Sequence, residues 1–253
     1  MSTILLCGYG AIGKRTAEEY SKLGQLDIYD PYIIQPGIIN SLEFLRDYYD
    51  FAFLAVPTPT VDGKCDTSIV ENLIKELANK VGVVVIRSTV KVGFTKEIIR
   101  TYKNVVFCPE FYGTTQHQAK NDYLILGGER VFCNKVAQLY YKIKPGDFRI
   151  KFYYDPTVAE MIKYMENCWL ATKVVFCNSF KEACDKSGIE YDDVREGWLM
   201  DNRINPDHTI CYEGQPYYDS HCLNKDIPAF YNQFGDEFIQ AVDEINFKRK
   251  RCI

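Results

Sequence analysis

Toward the end of the chain Cys222 stands in the run Ser220-His221-Cys222-Leu223-Asn224-Lys225-Asp226, and near its beginning glycines recur as Gly8-x-Gly10-x-x-Gly13. A thiol can hold an acyl group covalently, and a glycine turn of this spacing can cradle a dinucleotide that accepts hydride. Those are the two parts needed to oxidise an alcohol past the aldehyde. Other reactive types lie between them. Lys163 and Asn167 are four apart in a stretch of helical pattern, with Glu160 one turn earlier, so the three can share a face. Ser88-Thr89-Val90 and Pro109-Glu110-Phe111 each follow an apolar run. Taken singly, each has a plainer reading: a solvated helical stripe, loop residues, a structural turn.

The elements that must position these groups can be read from the pattern. Residues 3–7 form a short apolar strand, and 11–23 show helical spacing, with Ile12, Ala17, Tyr20 and Leu23 able to share a face. In this strand, turn and helix, Gly8 permits the tight turn, Gly10 lets a pyrophosphate approach the backbone, and Gly13 lets helix and strand pack closely. The next apolar run, 26–30, ends in Asp30, about 20 residues on, where a ribose 2′-hydroxyl needs an acceptor. A carboxylate there repels the extra phosphate of NADP and favours NAD. Further strands are expected at 51–56, 83–88, 105–108, 123–126 and 148–154, with helices at 68–80 and 94–102 among those between them. This alternation predicts an α/β, doubly wound, mostly parallel sheet of Rossmann type over 1–154. From 155 the grammar changes. Pro156 suits a first helical position, no breaker follows until Gly188, and a helix over 156–187 is expected. So long a helix needs a partner for an apolar stripe of Ile162, Trp169, Val174 and Phe176, which predicts a homodimer. An irregular stretch is expected over 201–226, then a last helical run from 227. Residues 155–253 thus read as a smaller, all-helical dimerisation and catalytic domain.

The chain has 253 residues, 47% of them hydrophobic, with a net charge of −4. That suits one large or two modest domains and argues against a nucleic-acid surface; the basic residues 248–251 read as the solvated end of a helix. No apolar run is long enough to span a bilayer, and the apolar N-terminus reads as a strand rather than a signal peptide. A cytoplasmic location is expected, with the ten cysteines as reduced thiols. His208, Cys211, His221 and Cys222 are zinc-ligand types, but their spacing matches no compact paired motif, and no metal is expected.

In order along the chain stand Gly8-x-Gly10-x-x-Gly13, Val56-Pro57-Thr58-Pro59, Ser88-Thr89-Val90-Lys91-Val92-Gly93, Pro109-Glu110-Phe111, Glu160-x-x-Lys163-x-x-x-Asn167, Asp201-x-Arg203-Ile204 and Cys222-x-x-Lys225-Asp226. In these motifs and their order the sequence resembles the UDP-glucose/GDP-mannose dehydrogenase family. The resemblance implies oxidation of a nucleotide-sugar C6 alcohol to the carboxylate, of the UDP-glucose to UDP-glucuronate type, consuming two NAD. It implies that Cys222 forms a thiohemiacetal and then a thioester, with Lys163 and Asn167 at the reacting oxygen. Lys163 or Lys225 would favour the Cys222 thiolate. By the same resemblance Asp226 deprotonates a water, Thr89 positions it, and Glu110 is a further acid/base. Pro57, Thr58, Thr89 and Lys225 join Gly8, Gly10, Gly13 and Asp30 around NAD, and Arg203 reaches into a neighbouring subunit's sugar site.

The sequence also departs from the family pattern. Asp219-Ser220-His221 stands where the family has a glycine-rich lead into its cysteine, Thr114 stands where it has a second glutamate, and the segment between Asp30 and Phe51 is short. The resemblance further implies that the family's C-terminal nucleotide-binding domain is lacking, since the chain stops at the helix containing Asn246, and that a separate chain could supply it. The alternative reading is a non-catalytic, NAD-binding, dimeric interaction module derived from the same family.

Overall fold

The structure, a computed structural model, describes residues 2–111, 123–143 and 149–252. Thr114 lies outside them. Packing divides the chain into two units, the first holding 2–59, 65–111, 123–143 and 149–163, the second 60–64 and 164–252.

The first unit is built on a sheet. Its strands are β1 (Ser2–Cys7), β2 (Gly24–Tyr29), β3 (Ile38–Ile39), β4 (Tyr49–Leu54), β7 (Val81–Ile86), β8 (Val105–Phe107), β9 (Tyr123–Gly127) and β10 (Arg149–Tyr153), while β5 (Thr60–Val61) and β6 (Lys64–Cys65) pair separately. The sheet order is β10-β9-β8-β7-β4-β1-β2-β3; β8 meets β9 antiparallel, and the other pairs are parallel. The central strands are near-continuous apolar runs because both faces are covered. Ile4 and Leu6 of β1, with Val83 and Val85 of β7, join one core beside α1 (Ala11–Tyr20) and α4 (Arg130–Ile143). Leu5, Cys7, Val84 and Ile86 point the other way, into a core with α2 (Ser68–Leu77) and α3 (Phe94–Ile98). The expected doubly wound, mostly parallel sheet is what forms.

Helix boundaries moved where tight turns intervene. The first helix stops at Tyr20 rather than 23, because Leu23 N–H bonds Tyr20 O and Gly24 already starts β2. Likewise α2 stops at Leu77 rather than 80, where Lys80 N–H turns back to Leu77 O ahead of β7. The β5/β6 hairpin adds to the expected elements, and Asp62 (φ 49°) and Gly63 (φ 72°) at its tip are a hairpin signal.

Helix α5 runs from Pro156 to Ser187 without interruption. Gly188, at φ 67°, ends it, and Ile189 N–H bonds back to Cys184 O as in a left-handed helix terminus. The division between units falls inside α5, after Lys163. In the first unit, Ala159 and Ile162 pack on the core. In the second, Cys168, Ala171 and Val175 of α5 pack with Leu223 and Ile227 of α7 (His221–Phe234) and Ile239 and Val242 of α8 (Glu237–Arg251). The short helix α6 (Tyr191–Trp198) covers Cys177 and Cys184.

Two expectations about this region are corrected. The last helical run is two helices: Gly235, at φ 66°, breaks it, and Asp236 caps α8 by accepting from Ile239 N–H at 2.8 Å. Helix α7 also starts at His221, so Cys222 is helical rather than part of an irregular stretch. The exposed stripe of α5 is Val158, Met165, Trp169, Phe176 and Phe180, with Trp169 60% exposed. Ile162 and Val174, assigned to that stripe from spacing, face the cores instead. No helix among the described residues is long and apolar enough to cross a membrane.

Candidate active site

In the first unit the strand order reverses between β1 and β4, and the glycine turn follows β1 at that point. Such a switch point opens a crevice beyond the strand ends. Gly8, at φ 91°, carries its backbone so close to β4 that a Cβ would lie 2.4 Å from Ala55 O. A Cβ on Gly13 would lie 2.0 Å from Gly8 O, so helix and turn touch there. Gly10 faces open space and is the N-cap of α1 without any side-chain cap. The first N–H groups of α1 are therefore left for an anion. Asp30 is buried beside them, its carboxylate accepting from Tyr9 N–H at 2.8 Å and Tyr32 N–H at 3.0 Å. These contacts fix the carboxylate at the end of β2 and leave further lone pairs for a hydroxyl donor. An open turn, an uncapped helix end and a fixed carboxylate fit a dinucleotide with an unmodified ribose.

The loops after β4 and β7 are joined to each other. Thr58 Oγ1 donates to Thr89 O at 2.6 Å, and Ser88 Oγ donates to Val56 O at the same distance, while Pro57 is exposed. The loop after β7 is pinned by Glu160, whose carboxylate accepts from Gly93 N–H at 2.6 Å and Thr95 N–H at 2.7 Å. Burial pushes the Glu160 carboxyl up to about 6, with those N–H bonds opposing the rise. After β8, Glu110 is buried against Arg87, with Oε2 2.5 Å from Nη2. Arg87 had drawn no notice in the sequence; its only signal was a cation directly after an apolar strand. Lys163, 8% exposed, lies over the ring of Phe111, 4.8 Å from its centroid.

The second unit holds the remaining residues. Cys222 is in the first turn of α7, where Ser220 Oγ caps the helix by accepting from Leu223 N–H at 3.1 Å. Asp226 follows one turn later and is 1% exposed. Its Oδ2 accepts from Asn167 Nδ2 at 2.6 Å, and its Oδ1 is 2.5 Å from Lys225 Nζ. Lys225 is thereby committed to Asp226, and its carbonyl accepts from Thr60 Oγ1 at 2.5 Å. Cys168, buried in the same unit, has its thiol pushed up to about 12 by burial and by the charge of Asp226. Arg203 lies on an exposed loop, with Nη2 2.5 Å from Asp201 Oδ2. No group of three or more His, Cys, Asp or Glu side chains suited to a metal ion occurs among the described residues.

Before Cys222, the segment that replaces the glycine-rich lead is tied down. Asn246 Oδ1 accepts from Tyr218 N–H at 2.8 Å, Asn246 Nδ2 donates to Tyr218 O at 3.1 Å, and Tyr218 Oη donates to Asp243 at 2.6 Å. Asp219 then accepts from Lys250 Nζ at 2.6 Å. This clamp was not visible in the sequence, since its two halves are about 28 residues apart.

Known proteins resemble the chain over two stretches. Residues 40–144 match the NAD binding domain of the UDP-glucose/GDP-mannose dehydrogenase family, and residues 157–248 match its central domain. UDP-glucose 6-dehydrogenase of Campylobacter jejuni is 32% identical over 221 residues, 81% of this chain and 54% of that protein. UDP-N-acetyl-D-mannosamine dehydrogenase of Methanococcus maripaludis is 26% identical over 264 residues, 94% of this chain and 60% of that protein. The chain thus spans little more than half the length of these relatives. In fold it resembles a UDP-glucose dehydrogenase from Pyrobaculum islandicum at a TM-score of 0.81 and 23% identity, covering 98% of this chain and 68% of that one. With both matches in chain order and the glycine turn built to receive the dinucleotide, the chain belongs to the UDP-glucose/GDP-mannose dehydrogenase family.

Proposed function

We propose that the chain oxidises the C6 alcohol of a nucleotide sugar to the carboxylate, as its relatives named UDP-glucose 6-dehydrogenase do by name. The observation that carries this reading is the buried Asn167–Asp226–Lys225 group on and beside the helix that begins at Cys222. A carboxylate buried between an amide and an ammonium, one turn after a thiol, is the equipment for making and cleaving a thioester. Bound NAD supplies the hydride acceptor, twice for each carboxylate formed, and Gly8, Gly10, Gly13, Asp30, Pro57, Thr58, Thr89 and Lys225 are the residues that would hold it.

The protein's own part follows from its residue chemistry. Cys222 Sγ adds to the aldehyde carbon, and the helix N-terminus at that position favours the thiolate. Lys163 and Asn167, one turn apart on α5, donate to the oxygen that gains negative charge. Once the thiohemiacetal has been oxidised to the thioester, Asp226 takes a proton from water as its oxygen attacks the acyl carbon. Thr89 positions that water, Glu110 assists in the proton transfer, and cleavage of the carbon–sulfur bond restores the thiol.

The exposed α5 stripe of Met165, Trp169, Phe176 and Phe180 supports a homodimer, because an apolar face of this kind is ordinarily covered. Arg203, exposed on its loop, would then serve the partner's sugar site. The test is to follow NADH while the chain is incubated with NAD and a panel of nucleotide sugars including UDP-glucose. NADH formation that requires Cys222 supports the reading. NAD binding without turnover on any sugar nucleotide favours the non-catalytic module.

A further inference from the structure

We infer that Arg87 is a positioning residue for Glu110, holding its carboxylate ionised and in one orientation, so that Glu110 accepts a proton rather than donating one. The inference rests on the thioester reading for the use of Glu110, but its geometry stands within the first unit alone.

Arg87 directly follows Ile86, the last residue of β7, and Cys108 directly follows Phe107, the last residue of β8. Ile86 and Phe107 are partners in the parallel register, so Arg87 and Cys108 lie side by side at the carboxyl edge of the sheet. The backbone holds both: Arg87 N–H bonds Leu54 O and Cys108 N–H bonds Ile86 O, each at 2.9 Å. From this anchored position Arg87 Nη1 donates to Cys108 O and contacts Cys108 Sγ, both at 3.3 Å, while Nη2 reaches Glu110 Oε2 at 2.5 Å. The guanidinium therefore bridges the strand end and the carboxylate two residues beyond it.

Both partners are out of water, with side chains 2% and 7% exposed. A guanidinium does not give up its proton in a protein, so Glu110 stands beside a permanent positive charge, which favours its ionised form. Glu110 is thus a carboxylate whose Oε2 is held by the guanidinium. A carboxylate in that state can accept a proton from water but has none to donate to a leaving group. Val83 and Val85 of β7 face an apolar core, and among the described residues Arg87 Nε is buried with no hydrogen-bond partner. A buried charge retained with one nitrogen unsatisfied is costly to stability, which points to use rather than to packing.

The test titrates the Glu110 carboxyl by carbon-13 NMR, assigned with Glu110→Gln, in the wild type, Arg87→Lys and Arg87→Met. Titration at a pH higher by about one unit or more in Arg87→Met, with Arg87→Lys between it and the wild type, is expected. Identical titration in all three would overturn the inference. If Arg87→Met does not fold, Arg87→Lys decides alone, since a lysine cannot reach both Cys108 O and Glu110 in the guanidinium's forked geometry and must still shift the titration upward. A second readout uses NAD and UDP-glucose, with intact-protein mass following the acyl group on Cys222. In Arg87→Met the acyl-enzyme should persist on the order of a hundredfold longer, with partial rescue in Arg87→Lys. Loss of acylation with no change in acyl lifetime would assign Arg87 to structure alone. If the wild type forms no acyl-enzyme, the dehydrogenase reading fails, while the titration still decides whether Arg87 sets the state of Glu110.

Discussion

Asn167 donates to Asp226 at 2.6 Å with both side chains buried, 3% and 1% exposed, so helix α5 and helix α7 meet through a polar contact as well as through apolar packing. A buried carboxylate of this kind is tolerated because its oxygens are occupied, Oδ2 by Asn167 and Oδ1 by Lys225. It also fixes where Asp226 stands relative to Cys222, one helical turn away.

Asp226→Asn keeps the shape and, through its amide oxygen, the bond from Asn167, but loses the ion pair with Lys225 and the proton acceptor. Hydrolysis should slow by on the order of a hundredfold or more, with an acyl group accumulating on Cys222 in intact-mass measurement. Asp226→Ala should in addition lower stability by about 1–3 kcal/mol, because the Asn167 amide is left buried without its partner. A denaturant midpoint for Asp226→Ala equal to that of Asp226→Asn would contradict this.

Glu160 gives a pH signature in stability. Its carboxyl stands at about 6 in the folded chain against 4.5 as the ordinary value, so the folded state binds the extra proton between those two pH values. The stabilisation that this proton confers is complete below pH 4.5 and is lost as pH rises through 6, a change of about 2 kcal/mol. Glu160→Gln removes the titration. Urea midpoints of the wild type should therefore fall relative to those of Glu160→Gln between pH 4.5 and 7; parallel curves would refute the assignment. The exposed carboxylates of Asp155 and Asp219, held low by Lys96 and Lys250, act at lower pH and in the opposite sense.

Asp30 should set the choice of dinucleotide. NAD is expected to bind more tightly than NADP, and Asp30→Ala should narrow the gap by weakening NAD and removing the repulsion of the 2′-phosphate. Equal binding of the two by the wild type in calorimetry would remove Asp30 from that role.

The α5 stripe should drive self-association. Trp169→Glu, at a position 60% exposed in the single chain, should turn a sedimenting dimer into a monomer at micromolar concentration without loss of helix content. A wild-type monomer at that concentration would remove both the dimer and the shared role of Arg203.

How far the sequence could be read depended on whether the controlling residue was local. Both ends of α5 were legible because Pro156 and Gly188 each act through their own backbone angles. Gly8 and Gly13 were legible for the same kind of reason, their lack of a side chain being what the close approach requires. The start of α7 was not, since the polar run 219–226 reads as irregular, and only the Ser220 cap marks the true beginning. The break at Gly235 and Asp236 was overlooked although its signal is local. Arg87 with Glu110, and Tyr218 with Asn246, were out of reach because each pair is made by the fold and neither residue announces its partner.

The most direct test of the account is the stoichiometry of turnover on UDP-glucose in the wild type and in Cys222→Ser. The thioester route predicts two NADH for each carboxylate released by the wild type, and a serine variant that stalls at an ester or aldehyde-level species. One NADH per product, or undiminished acid formation by Cys222→Ser, would contradict it.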